Sequence, residues 1–219
     1  MIHKIERFKI IRLERFKIKE QFWINIYEVL SQRQKNEITR PDLKPSAVLF
    51  PIFKKGEDIH ILFTQRTMWV DNHKGQISFP GGRFQENDAN LEETAFREGE
   101  EEIGLKKEDT VLVGELDDAE TIVSNFKISP YVVALPYPYK FKINKNEVEN
   151  IFRVPLKDFL DCRNFYSDNQ NGIVPPYFKV QDKVIWGATA RIVINFLSII
   201  YPQDWNCLNK PSPPRSMKK

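Results

Sequence analysis

Phe79-Pro80-Gly81-Gly82 leads through Asn90 into Thr94-Ala95-Phe96-Arg97-Glu98-Gly99-Glu100-Glu101-Glu102-Ile103-Gly104-Leu105. A glycine turn thus precedes a segment that reads as a helix. At about 100° per residue, Glu98, Glu101 and Glu102 stand at i, i+3 and i+4 and share one arc of its surface. Like charges at these spacings cost an isolated helix roughly 0.2–0.5 kcal/mol per pair, and a divalent cation between the oxygens would reverse the sign. That layout suits a metal-dependent phosphate site, with Glu98, Glu101 and Glu102 as candidate ligands. Hard oxygen donors favour Mg2+ or Mn2+.

The neighbouring positions support the helix. Ala95, Phe96, Gly99 and Ile103 form an adjoining apolar arc that would pack on a sheet. Gly99 costs about 1 kcal/mol of helix propensity relative to Ala, so a close backbone approach is expected there. Glu93, four residues before Arg97, predicts an ion pair. Asn90 with Glu93 reads as a capping box, and Gly104 followed by Leu105, Lys106 and Lys107 as the stop.

The 219 residues, 41% hydrophobic and 29% charged, suit one soluble domain with modest extensions. No apolar run approaches the roughly 18 residues that span a bilayer. Residues 1–20 interleave Lys and Arg with Phe and Ile and include Glu6 and Glu14, unlike a signal or transit peptide, so a cytoplasmic location is expected. The net charge of +3 is nearly balanced and argues against stable nucleic-acid or membrane partners for the chain as a whole. Cys162 and Cys207 show no framework spacing and are expected to be reduced thiols. The oligomeric state is left open.

Residues 1–40 read as a helical extension, with Phe22 to Leu30 its clearest helix. An echo, Ile5-Glu6-Arg7-Phe8-Lys9-Ile10 and Leu13-Glu14-Arg15-Phe16-Lys17-Ile18, can be read as an RNA-contacting arm or as an amphipathic surface helix. Pro41 and Pro45 mark a boundary. Strands are expected over 46–53, 59–64, 110–116 and 131–135, with Val184-Ile185 closing the sheet and a helix over 188–200. Mixed elements in this order predict an α+β chain folded as an α/β/α sandwich on a mixed sheet. The main domain is expected over 41–202, followed by a disordered tail over 203–219.

Arg97-Glu98, two further residues, Glu101-Glu102, one residue and Gly104 resemble the Nudix box at every spacing of its core. Upstream, Leu62-Phe63-Thr64-Gln65-Arg66 and His73-Lys74-Gly75-Gln76-Ile77-Ser78-Phe79-Pro80-Gly81-Gly82 are similar to the signature of the coenzyme A pyrophosphatase branch. Asp71 stands where that branch carries an arginine, and Thr67 where it carries Ser or Ala. The segments 146–156 and 186–190 are similar to further parts of the branch.

The resemblance implies hydrolysis of a nucleoside diphosphate derivative, foremost coenzyme A or acyl-CoA, to 3′,5′-ADP and 4′-phosphopantetheine. It implies a backbone carbonyl of Gly81 as an added metal ligand. Arg66, Lys74 and Arg83 are candidates to meet substrate phosphates, and His73 to orient one or move a proton. Glu147 is the first choice as general base, with Glu98 and Glu120 as rivals. Another diphosphate substrate, such as a dinucleotide or nucleotide sugar, is the second reading. A non-catalytic nucleotide- or RNA-binding domain is the third, and the retained glutamates argue against it.

Overall fold

The computed structural model describes residues 21–67, 75–167 and 175–209. Asp71, His73 and Lys74, the arm over 1–20 and the tail over 210–219 lie outside them.

Helix α1 (Gln21–Gln32) buries Trp23, Ile26, Tyr27 and Leu30, the i, i+3, i+4, i+7 stripe of an amphipathic helix. It packs into the same core as the sheet. Strand β1 (Lys44–Lys55) is the centre of the fold. Its even-numbered residues Phe50 and Ile52 enter one core, and its odd-numbered Ala47, Leu49 and Phe53 enter the other. Burial on both faces explains why the strand reads as a continuous apolar run.

On one side of β1 lies β2 (Asp58–Arg66), antiparallel, and on the other β7 (Phe126–Ala134), parallel. β3 (Ile77–Ser78) extends the sheet beyond β2, and β5 (Val111–Glu115) extends it beyond β7. Three further strands attach to this path: β4 (Gly81–Arg83) to β1, β6 (Ala119–Glu120) to β7, and β8 (Val148–Pro155) to β2. The parallel and antiparallel pairs make it a mixed sheet.

Helix α2 (Leu91–Ile103) carries the acidic segment and covers one face through Ala95, Phe96 and Ile103. A Cβ on Gly99 would stand 2.6 Å from Leu49 Cδ1, which is the close approach the sequence predicts. The opposite face is covered by α1 and by the C-terminal helix α4 (Gly187–Ile200), which contributes Val193, Phe196 and Leu197. The architecture is an α/β/α sandwich. Among the described residues no helix is long and apolar enough to cross a membrane.

Three expectations are corrected. Strand β7 begins at Phe126 rather than 131, because its first residues pair with the exposed start of β1. Val184 and Ile185 do not close the main sheet. They lie in β11 (Lys183–Ile185), which joins β10 (Tyr177–Val180) and β9 (Phe165–Tyr166) in a separate antiparallel sheet. Phe165 and Phe178 of that sheet pack against each other, Phe178 also meets Phe159 of the short helix α3 (Leu156–Leu160), and Phe165 meets Trp205.

Cys162 and Cys207 form a disulfide rather than remaining reduced. Trp205, buried with its Nε1–H donating to the Phe159 carbonyl, brings the chain after α4 back to this small sheet, and the two Cα atoms stand 5.2 Å apart, within bridging reach. The packed chain therefore continues past 202.

Candidate active site

The turn before α2 is built on its two glycines. Gly81 has φ +153, and a Cβ there would stand 2.3 Å from the Ala47 carbonyl oxygen. A Cβ on Gly82 would stand 2.4 Å from the Glu98 carboxyl carbon. The glycine pair thus lets β4 lie on β1 while the Glu98 carboxylate comes close to the backbone.

Asn90 caps α2 by accepting the Glu93 N–H at 2.9 Å, and Glu93 in turn accepts the Ala89 N–H at 2.6 Å. Gly104, at φ 68, ends the helix. Glu93 is committed to this cap and does not pair with Arg97, contrary to the helical-spacing expectation. Arg97 instead grips buried Asp88 with Nε at 2.8 Å and Nη2 at 3.1 Å, while its Nη1 meets Glu98 at 2.9 Å and Glu101 at 3.1 Å. Its Nη2 also donates to the Arg83 carbonyl. The guanidinium beside Asp88 holds that carboxyl far below its ordinary range, and the Gln85 N–H and Thr94 hydroxyl add to this.

The helix arc is thereby divided. Glu98 and Glu102 line an open cleft of about 640 Å³, together with Arg66, Gly81, Arg83 and Glu147. Glu101 is half exposed at the side and stays with Arg97. Glu102 is 2% exposed; its Oε2 accepts the Gly81 N–H at 3.3 Å and its Oε1 meets Arg66 Nη1 at 3.4 Å. Burial pushes the Glu102 carboxyl up to about 8; Arg66 and the Gly81 N–H oppose the shift, and Glu98 and Glu147 add to it. Glu98 is also raised, by burial first, against the pull of Arg97.

Arg66 reaches the cleft because the β2–β8 register shifts between Gln65 and Arg66, a bulge that re-aims the side chain. Its Nε is buried and has no hydrogen-bond partner among the described residues. Glu147 comes from the turn before β8. Asn144 Nδ2 donates to its Oε1 at 3.0 Å, and the Asn144 N–H donates to the Glu102 carbonyl at 2.9 Å. Asn144 thereby ties the loop carboxylate to the acidic helix. The sequence reading missed this role, although an Asn opening a four-residue turn was its visible signal. Glu120 does not line the cleft and pairs with Arg40 at 2.9 Å.

Among the described residues no three His, Cys, Asp or Glu side chains are gathered ready to hold a metal ion. Arg97 and Arg66 occupy the carboxylates instead. The donor chemistry nevertheless fits a hard divalent cation: buried Glu102, half-buried Glu98 and Glu147 share the cleft, Glu147 raises the cost of charge on both Glu98 and Glu102, and Arg66 is the cation beside them.

The model of the family described as the NUDIX domain matches residues 42–172. The chain belongs to the Nudix family. It is 32% identical over 152 residues to an uncharacterized Nudix hydrolase NudL of Yersinia enterocolitica, covering 68% of this chain and 77% of that protein. It is 34% identical over 171 residues to Nudix hydrolase 15, mitochondrial, of Arabidopsis thaliana, covering 72% of this chain but only 59% of that longer protein. Among solved structures, a C. elegans Ap4A hydrolase complex is similar with a TM-score of 0.45 and 20% identity, over 54% of this chain and 84% of that one. A MutT/nudix family protein from Enterococcus faecalis gives 0.48 and 12%, over 82% and 72%. This Nudix protein is accordingly a pyrophosphohydrolase acting on a nucleoside diphosphate derivative, in a family that uses divalent metal ions.

Proposed function

We propose that this Nudix hydrolase cleaves the diphosphate of coenzyme A or acyl-CoA, releasing 3′,5′-ADP and (acyl-)4′-phosphopantetheine, with Mg2+ or Mn2+. The observation that carries the reading is the position of Arg66. The residue closes the Leu62–Arg66 motif in sequence, and in space it stands in the cleft beside Glu102 with a buried donor awaiting an acceptor.

A phosphoanhydride joins two anionic groups, so water attacks it only when that charge is shielded. Glu98, Glu101 and Glu102, with the Gly81 carbonyl, would hold the metal, Glu101 exchanging Arg97 for it. When bound, the metal supplies charge neutralisation and acidifies water. Arg66 binds phosphate oxygens with Nε and the guanidinium edge, a charge-assisted contact. Lys74 is assigned to further oxygens of the diphosphate, and Arg83 to a substrate phosphate farther along the cleft. Glu147 is the general base: Asn144 engages its Oε1, and its Oε2, without a hydrogen bond among the described residues, takes the proton of the attacking water.

Turnover of coenzyme A, ADP-ribose, dinucleotides and nucleoside triphosphates, with products identified by mass, tests the substrate. Coenzyme A should lead the panel. A tenfold preference for another diphosphate would defeat the coenzyme A reading and leave the chemistry standing. Arg66→Ala should lower kcat/KM for the preferred substrate by roughly 10- to 150-fold, the value of a charge-assisted contact of about 1.5–3 kcal/mol. Unchanged kcat and KM would make Arg66 only the counter-charge of Glu102.

A further inference from the structure

The cleft has two electrically different ends. At the inner end stand Glu98, Glu102 and Glu147 with Arg66. At the outer end the strand register sets Arg83 of β4 opposite Ser46 of β1, and Lys44 of β1 beside Phe126 of β7. Lys44, Ser46 and Val48 alternate onto one face of β1, and all three line the cleft.

The Arg83 guanidinium lies over the Phe126 ring, 4.9 Å from its centroid. The ring is held by its turn, because Thr121 Oγ1 accepts both the Ser124 hydroxyl and the Phe126 N–H at 2.8 Å. Among the described residues no carboxylate pairs with Lys44 or with the Arg83 side chain.

Strand rise gives the spacing. Glu102 accepts from the Gly81 N–H, and Gly81 faces Val48. At about 3.3 Å per residue, Arg83 lies about 7 Å and Lys44 about 13 Å from that level along their strands. On the proposed reading, charge on the reacting diphosphate would be met at the inner end by Arg66 and by a divalent cation held by the glutamates. Two cations one nucleoside length away answer to a different anion.

We propose that Lys44 and Arg83 form a subsite for a second phosphate, a monoester on the nucleoside half of the substrate, and that the base stacks on the guanidinium backed by Phe126. A guanidinium plane offers both a stacking face and a fork of donors to phosphate. The cleft then selects nucleoside diphosphate derivatives that carry a phosphate outside the scissile linkage. This rests on the reading of the inner end as the diphosphate site, and it makes the outer end a determinant of specificity.

Binding without turnover separates the two claims. The dissociation constants of adenosine 3′,5′-bisphosphate and of AMP, which differ by one monoester, are measured by titration calorimetry on the full chain with Mg2+. The bisphosphate should bind at least tenfold more tightly. Lys44→Ala and Arg83→Ala should each shrink that ratio about fivefold; both residues are exposed, so the variants fold. Equal affinities in the wild type, or a ratio unmoved by both substitutions, would overturn the subsite. Failure to hydrolyse any coenzyme A derivative, with the bisphosphate preference intact, would instead count against the proposed substrate alone.

Discussion

Glu102→Gln should reduce kcat by about three orders of magnitude with Mg2+ or Mn2+, and in metal-free buffer at pH 8 it should melt higher than wild type. Both effects come from one buried carboxyl. Glu102 titrates near 8 in the fold, against 4.5 as its ordinary value, so the folded state binds the proton more tightly than the unfolded chain. Stability from that proton is fully present below pH 4.5 and is lost as the pH rises toward 8. The loss is on the order of 3–5 kcal/mol if the whole shift is realised, or roughly 6–20 °C in Tm for a chain of this size. Glu98, raised in the same direction, adds to the slope.

Wild-type protein in chelator should therefore melt lower at pH 8 than at pH 5. The Glu102→Gln substitution removes most of that dependence, and saturating divalent cation at pH 8 restores the stability of the wild type. Thermal denaturation across pH 4.5–8.5 with and without metal reads all three. A flat metal-free profile, or full turnover by the glutamine variant, would remove Glu102 from the metal site.

Arg97→Ala should cost about 3–5 kcal/mol of stability, because it strands Asp88, whose side chain is only 3% exposed, without its cation. It should also lower turnover, since the same guanidinium holds Glu98 in place against Gly82. Arg97→Lys keeps the charge but loses the two-point grip on Asp88, so part of the stability should return. Adding Asp88→Asn to Arg97→Ala should also recover stability, because the deepest orphaned charge is gone. Denaturant unfolding of the four proteins measures this. A loss below about 1 kcal/mol for Arg97→Ala would show a solvated cluster rather than a buried one.

The acidic helix was legible in the sequence because its determinants are local. Asn90 and Gly104 sit at its ends, Gly99 meets Leu49, and the apolar arc covers the sheet as periodicity requires. The central strands were legible for the same reason: alternation and apolar runs report burial within a few residues. The helical wheel also placed Glu98, Glu101 and Glu102 on one arc.

Which charge meets which was not local. Arg97 chose Asp88 over Glu93 because the loop before α2 folds back and buries Asp88 beneath it, whereas Glu93 was already spent on the cap. That choice pulled Glu101 aside and left Glu98 and Glu102 in the cleft with Glu147, which a distant turn supplies through Asn144. The small sheet of β9, β10 and β11 and the Cys162–Cys207 bridge arise likewise from segments that meet only after α4 has docked. The sequence by itself determined the helix, the strands and the kind of chemistry, because periodicity, caps and motif spacing are properties of neighbouring residues. Only the tertiary structure decided the ion pairs, the burial that raises Glu102 and the cations facing the outer cleft, because each depends on side chains that the sheet register brings together from far apart in the chain.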